Sequence, residues 1–377
     1  MYCRLLKSLY GLKQSGRCWN EHLDRCLKEL GFQRNQVDSC VYTLTLKEGN
    51  LVLCVYVDDM LLMSENEHVR EKAKPLLNEH FECKHLGEVS YFLGVKFSHF
   101  NYGCVTLTQE AYTQRLLQRY GMQDAKGVNT PMEMRPFFTD KGSSEETTES
   151  LPYKELIGSV LYLAQRTRPD ISFAVAKLSQ YCSNFTEQHW TAAKRVLRYL
   201  KQTKGLGITY RPTNEPLTAY TDADWASRIE TRKSTTGYIV LLSGAPVLWK
   251  SAKQTVTTLS TMEAEYIALS ECAREVTWIK RFLESIEQGR RMVADTTKVY
   301  CDSQAAIAHA NNSADKTRTK HISIRYHFVR EKVEDGTDEP VYVRSGRNLA
   351  DILTKPLSQA RHEGFKDMVL GVSEVDA

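Results

Sequence analysis

The sequence predicts a multidomain protein of mixed class, part α/β and part α+β. Three observations predict it. Residues 51–63 (LVLCVYVDDMLLM) run apolar, β-branched and aromatic residues up to Asp58-Asp59 and away again, a hairpin pattern, and helical spacings flank it. Residues 153–199 carry helical patterns almost throughout. From Leu206 strands come first, and then strand and helix alternate. Three antiparallel strands followed by parallel strand–helix units make a mixed sheet with flanking helices.

Composition bounds the rest. The 377 residues suffice for two or three domains with cores, and 42% hydrophobic with 25% charged residues is an ordinary globular balance. No apolar run reaches the roughly 18 residues of a membrane span. The opening MYCRLLKSLYGLKQ lacks the apolar core of a signal peptide. The ten Cys are scattered singly without a CxxC, which argues against a zinc site or disulfide framework and for a reducing, intracellular location, cytoplasmic or nuclear and not secreted. Net charge is only +4, so any nucleic-acid surface must come from local patches.

The elements follow in order. Trp19, Leu23, Cys26, Leu27 and Leu30 fall at helical spacing, with Gly31 as the stop. Residues 40–46 and 51–63 supply strands. The hairpin tip has no Gly, although a tight turn favours Asn-Gly or Asp-Gly. Its two adjacent carboxylates repel, which a divalent cation would offset; the alternative is a solvated acidic turn. Residues 67–80 read as a helix, broken late or kinked at Pro75. Residues 106–120 read as an amphipathic helix with Tyr112, Leu116, Leu117 and Tyr120 on one face. Residues 136–150, containing GSSEETTES, form a polar, acidic linker. Helices are expected around Leu156, Val160, Leu161 and Leu163, then, after a break at Pro169, over 171–181 and 189–200. Lys194, Arg195, Arg198, Lys201 and Lys204 form a basic stripe beside Trp190 and Tyr199. Such a stripe is ordinarily a solvated face, and beside aromatics it also suits backbone tracking.

Strands are then expected at 217–225, 238–242, 247–251, 298–301 and 341–344, and helices at 259–286, 303–309 and 348–355. Asp222 and Asp224 share one face of the first of these strands. Asp302 follows the fourth strand, and Asp351 lies near the start of the last helix, where an acid suits the helix dipole. Ser260 and Glu263 make a capping box, which gives Glu263 a structural task.

Tyr56-Val57-Asp58-Asp59 resembles the YxDD box of reverse transcriptases. KSLYGLKQSGRCW at 7–19 resembles the SLYGLKQ-x-x-R-x-W segment of copia-type LTR retrotransposons. YTDADWA, TRKSTTGY, STMEAEYIALSE, CDSQAAI, TKHISIRYHFVRE and NLADILTK continue the resemblance through nearly the whole chain. It implies a partial reverse-transcriptase palm at 1–100, a thumb-like helix region at 101–135, the linker at 136–150, a helical connection at 151–205, a ribonuclease H domain at 206–367 and a tail at 368–377. It also implies two-metal hydrolysis of the RNA strand of RNA–DNA hybrids, with two Mg²⁺ per site and Mn²⁺ as the substitute. Asp222 matches the first carboxylate, with Asp224 second in line. Glu265, in E-x-x-A with Ala268, matches the helix glutamate ahead of Glu263, and Asp302 and Asp351 complete the set. Asp58 and Asp59 match the polymerase pair, Asp58 as a metal ligand. Implied nucleic-acid contacts are Lys13, Gln14 and Arg17, then Lys194 and Arg198, then Lys316, Arg318, Lys320, Arg325 and Arg330. The implied partners are an RNA–DNA hybrid and template-primer, the N-terminal part of Pol, and no membrane.

Two departures shape the expectation. The family's third polymerase carboxylate, in a D-V-x-x-A-F-L segment upstream of SLYGLKQ, has no counterpart, so the polymerase site is expected to be truncated. The loop before Asp351, Arg344-Ser345-Gly346-Arg347-Asn348, lacks the His found there in many ribonucleases H; His321 and His327 are the nearest. The alternative function is an inactive nucleic-acid-binding remnant.

Overall fold

The computed structural model describes the chain apart from residues 1–4, 6, 101–102, 135–150, 214, 226–231, 313–322 and 374–377. The expected linker at 136–150 therefore lies outside the described residues, as do Lys316, Arg318, Lys320 and His321. The chain divides into two compact units: Met1–Val89 with Trp278–Val293, and Ser90–Thr277 with Ala294–Ala377. No described helix is long and apolar enough to cross a membrane.

In the first unit, α1 (Ser15–Glu29) buries Leu23, Cys26 and Leu27 on one stripe, the face that the spacing predicts. Strands β1 (Gln33–Arg34), β2 (Val41–Leu46), β3 (Gly49–Tyr56) and β4 (Asp59–Met63) follow as an antiparallel meander in sequential order. Helix α2 (Glu67–Asn78) is capped by the Asn66 side chain, which accepts from the His68 N–H. Pro75 lies inside it without ending it. The break expected there is absent, and Ala73 and Leu77, on either side, are both buried in the core of this unit.

The second unit begins with β5 (Tyr91–Phe92), β6 (Val95–His99) and β7 (Val105–Thr108). The helix expected from residue 106 starts only with α3 (Glu110–Arg119). Residues 105–108 alternate Val-Thr-Leu-Thr, and their pairing with β6 overrides the helical spacing downstream. Helices α4 (Tyr153–Arg166), α5 (Ser172–Ser179) and α6 (Glu187–Gln202), with a 3₁₀ turn at Pro169–Ile171, enclose a core that includes Leu156, Val160, Leu163, Val175, Leu178, Val196 and Leu197. Beside that core Arg168 pairs with Asp170, at 2.8 and 2.9 Å, with both side chains buried. Tyr199 Oη donates to the same carboxylate and Arg168 also donates to Thr203, so the buried charges are satisfied. Strand β8 (Gly207–Tyr210) pairs with β7 and completes a sheet in the order β5-β6-β7-β8.

The largest sheet follows. Strands β9 (Thr218–Asp224), β10 (Thr235–Leu242) and β11 (Ala245–Lys253) are antiparallel. The long α7 (Thr261–Glu284) and short α8 (Glu287–Arg290) lead to β12 (Thr297–Cys301), parallel to β9. Helices α9 (Gln304–Asn311) and α10 (Ser323–Glu334) precede β13 (Asp338–Tyr342), parallel to β12. A 3₁₀ segment, Leu349–Leu353, and α11 (Gln359–Val369) end the fold. The strand order β11-β10-β9-β12-β13 is the ribonuclease H-like arrangement that the resemblance implies. Ala223, Ala264 and Ala268 let α7 approach one face of the sheet closely. On the opposite face Tyr220, Ile239 and Leu241 pack against Leu349, Leu353, Phe365 and Val369. Gly237 makes that second approach possible: a Cβ there would lie 2.6 Å from Thr354 Cγ2 and 2.9 Å from Leu353 Cβ.

Candidate active site

The four carboxylates expected from the sequence arrive on four different elements. Asp222 lies near the end of β9, opposite Gly237 of β10. Strand β12 runs parallel with Cys301 beside Thr221, so Asp302 falls next to Asp222. Asp351 is carried by the 3₁₀ segment, which Asn348 pins in place by donating to the Thr221 carbonyl at 2.9 Å and accepting from the Ala350 N–H at 3.2 Å. Glu265 comes from the second turn of α7.

Asp222, Asp302 and Asp351 each place a carboxylate oxygen within 4.8 Å of the others, and Asp302 forms a second such group with Glu265 and the Cys301 thiol. Asp222, Glu265 and Asp351 are buried and Asp302 is half-buried. Burial, and then the charges of Asp222 and Asp302, push the Glu265 carboxyl up to about 10. Burial and Asp222 push Asp351 up to about 7, against the pull of Lys355 and Arg361. Burial works against the charge of Lys355, yet Asp222 and Asp351 raise its pKa well above the usual lysine range.

The donor set fits a divalent cation. Oε2 of Glu265 is buried without a hydrogen-bond partner, and such an atom is costly unless something positive meets it. Hard carboxylate oxygens converging on one point suit Mg²⁺ or Mn²⁺. Glu263, by contrast, is engaged as a cap: its Oε2 accepts from the Leu259 N–H at 2.7 Å, while Ser260 Oγ accepts from the Glu263 N–H at 3.2 Å. Asp224 lies at the rim of the same strand, half-buried, outside both carboxylate groups.

Several residues here were not anticipated. Lys355 Nζ lies 2.8 Å from Asp351 and 3.5 Å from Asp222. Arg361 of α11 donates to the other Asp351 oxygen, Thr354 Oγ1 donates to Asp222, and Ser345 Oγ donates to Asp302 at 2.5 Å. The Asp351–Lys355 spacing, four residues, was the available clue, because i,i+4 ions of opposite charge meet on a helix. Arg361 and Ser345 reach the site only through tertiary packing. Among the described residues no histidine joins these contacts: His327 is exposed on α10, and His362 of α11 is buried beside the Asp170 carbonyl at 3.4 Å.

Asp58 and Asp59 are exposed in the first unit. Tyr56 pairs with Asp59, so Val57 and Asp58 form the two-residue turn, and Val57 takes φ +55°. A positive φ at the first turn position replaces the missing glycine, an uncommon state for a β-branched residue. Trp19 Nε1 holds the Val57 carbonyl at 2.8 Å, and Tyr10 donates to Asp58. Among the described residues no group of three metal-ligating side chains includes either aspartate. A further group in this unit, Cys26 with Glu29 and His80, has two exposed members.

The predicted nucleic-acid contacts divide. Lys13, Gln14 and Arg17 are exposed around the start of α1, with Arg17 paired to Glu21. Lys194 lies over the Trp190 ring at 5.7 Å. Arg198 donates to the Lys126 carbonyl at 2.7 Å, and Lys201 to that of Ala125, so part of the stripe anchors the preceding segment. Arg325 pairs with Glu271 at 3.4 Å, and Arg330 faces His309.

Residues 1–134 match a family model described as reverse transcriptase (RNA-dependent DNA polymerase). Over 376 residues the chain is 38% identical to the retrovirus-related Pol polyprotein from transposon TNT 1-94 of Nicotiana tabacum, which covers 98% of this chain and 28% of that polyprotein. It is 38% identical over 374 residues to the Pol polyprotein from transposon RE1 of Arabidopsis thaliana, covering 99% of this chain and 25% of the relative. A transposon Ty5-1 protein of Saccharomyces cerevisiae is 34% identical over 275 residues, which cover 72% of this chain and 89% of that protein. The chain thus spans about a quarter of the length of the Pol polyproteins it matches. Among solved structures, the N-terminal RNase H domain of a Mycobacterium tuberculosis protein aligns with TM-score 0.28 and 14% identity, over 40% of this chain and 95% of that one. RNase H1 from Halobacterium salinarum aligns with TM-score 0.27 and 19% identity, over 37% and 95%.

Proposed function

The chain belongs to the copia-type family of retrotransposon Pol proteins, and from that premise we propose that its β9–α11 region hydrolyses the RNA strand of RNA–DNA hybrids. The observation that carries this reading is the convergence of Asp222, Asp302 and Asp351 within 4.8 Å, with Glu265 joined through Asp302. Like charges so placed and so buried destabilise the metal-free fold, which is the signature of a site built to hold cations.

Divalent cations held there would supply Lewis-acid activation of water and would neutralise the leaving 3′ oxygen. The chain's own groups do the rest. Asp222, Glu265, Asp302 and Asp351 would provide the oxygen ligands. Thr354 and Ser345 orient Asp222 and Asp302 through their hydroxyls, and Arg361 orients Asp351. Asp58 and Asp59 are assigned to the reverse-transcriptase part as its paired carboxylates, with Lys13, Gln14 and Arg17 toward template-primer. Lys194, Arg325 and Arg330 are proposed to meet the hybrid backbone. Arg198 also anchors the preceding segment, its Nε donating to the Lys126 carbonyl, and keeps its remaining donors for the hybrid backbone.

The test is cleavage of an RNA–DNA hybrid by the purified chain, with Mg²⁺ and with EDTA, beside a binding titration at two salt concentrations. Cleavage should require the cation. Asp302→Asn should reduce it by more than the roughly 10–100-fold that changes behind a metal ligand cost. Hybrid binding should survive that substitution, since it removes a charge that repels phosphate, and should weaken as salt rises. Folded protein that binds hybrid and never cuts it would replace this reading with that of a nucleic-acid-binding remnant.

A further inference from the structure

Lys355 bridges two of the carboxylates that would hold a cation, Asp222 and Asp351. Its Nζ is 2.8 Å from Asp351 Oδ1 and 3.5 Å from Asp222 Oδ2. This is not a surface pair: the two carboxylates expose 0% and 2% of their side chains, while Lys355 exposes 34%. A buried carboxylate that keeps its charge needs a counter-charge beside it, with or without metal. An ammonium is a compact charge with three donors and can bridge two carboxylates much as a bound ion does. The backbone beneath it is fixed, because the 3₁₀ segment just before Lys355 packs on Gly237 and is pinned through Asn348. The long side chain can therefore leave the two aspartates by rotation alone.

Resting on the ribonuclease H reading, we propose that Lys355 is a positioning residue, a built-in counter-ion that holds Asp222 and Asp351 together in the metal-free protein and is displaced when a divalent cation takes the same two oxygens. Lysine and cation compete for one place. Removing the ammonium should then act in opposite directions on two measurements. The metal-free fold loses the partner of two buried carboxylates and becomes less stable, while the cation loses its competitor and binds more tightly. A lysine with a merely structural role would not tighten metal binding on removal.

The experiment uses the full chain without nucleic acid and follows its melting midpoint across a Mg²⁺ titration, for wild type, Lys355→Met and Lys355→Arg. Lys355→Met should melt lower without metal, and its half-saturating Mg²⁺ concentration should fall about tenfold or more, since a unit charge a few ångströms from a divalent ion opposes it strongly in a half-buried site. Lys355→Arg should stay near wild type in both. An unchanged or higher half-saturating concentration in Lys355→Met overturns the proposal, as does Lys355→Arg behaving like Lys355→Met. If Lys355→Met does not fold without metal, Lys355→Gln, which still donates to a carboxylate, carries the same titration and the same expectation. Hybrid cleavage by wild type, run in parallel, separates the two ideas. Cleavage with an unaltered Lys355→Met titration sinks only the counter-ion. Competition without cleavage sinks only the nuclease reading.

Discussion

Glu263 and Glu265 stand two residues apart on α7, both are buried, and their surroundings give them different work. Glu263 closes the helix start by accepting from the Leu259 N–H, and Glu265 faces Asp222 and Asp302. Glu263→Gln should therefore cost about 0.5–2 kcal/mol of stability, as a weakened cap does, and leave most hybrid cleavage intact. Glu265→Gln should remove nearly all cleavage while the metal-free protein melts no lower, because the amide relieves a crowded carboxylate cluster. Denaturant melts and cleavage rates on the two variants decide it, and stability lost at Glu265 with activity lost at Glu263 would reverse the assignment. This pair was legible in the sequence, since Ser260-x-x-Glu263 announces a cap by local geometry alone. Lys355, Arg361 and Ser345 were not. Their contacts with Asp351 and Asp302 depend on where the chain after β13 settles, and for Arg361 and Ser345 no local spacing encodes that.

A strand position decides where Asp351 sits. Gly237 pairs with Asp222 on β10, and the 3₁₀ segment lies directly over it. A methyl there would meet Thr354 Cγ2 at 2.6 Å, Leu353 Cβ at 2.9 Å and the Ala350 carbonyl at 3.1 Å. Backbone and short side chains cannot swing aside as a flexible tip would, so Gly237→Ala should lift the whole segment. The expected cost is about 1–3 kcal/mol, the range for overpacking, together with weaker Mg²⁺ binding as Asp351 leaves its partners. A melt and a Mg²⁺ titration on this variant check both, and unchanged metal binding would show that the segment does not set the Asp351 position. Strands β9 to β12 were readable near their places from apolar and aromatic residues, whereas β13, expected at 341–344, lies at Asp338–Tyr342, because Asp338, Glu339 and Pro340 write no apolar run and only pairing with β12 makes them a strand. The exception at Val105–Thr108 shows the limit. Four residues there alternate too briefly to outweigh the helical spacing that follows, and only their pairing with β6 and β8 makes them a strand.

At the scale of the whole molecule, the segment expected as a domain at 206–367 draws several of its contacts from outside those bounds. Strand β8 pairs with β7, which lies a hundred residues earlier. The Thr209 N–H donates to the Leu370 carbonyl at 2.9 Å, beyond the expected end, and Val369 and Leu370 are fully buried. Trp249 Nε1 donates to the Ala164 carbonyl at 2.7 Å, and His362 of α11 packs edge-on to Tyr199, whose hydroxyl completes the buried Arg168–Asp170 pair. Cutting at Leu206 and Asp367 removes every one of these partners. The indole N–H exchanges its carbonyl acceptor for water, a net loss of about 0.5–1.5 kcal/mol. The apolar faces of Ile208, Ala245 and Trp249 lose Leu370, and α11, which carries Arg361 to Asp351, loses its last residues, Met368 and Val369, and its contact with Tyr199. A fragment covering 206–367 should therefore melt well below one covering 90–377, without a single cooperative transition, and should bind Mg²⁺ more weakly. The longer fragment should unfold cooperatively and retain cation-dependent hybrid cleavage. Circular dichroism melts of the two fragments, read beside cleavage, test this directly. Equal midpoints would mean that the β9–β13 sheet stands without support from the helices between Tyr153 and Gln202.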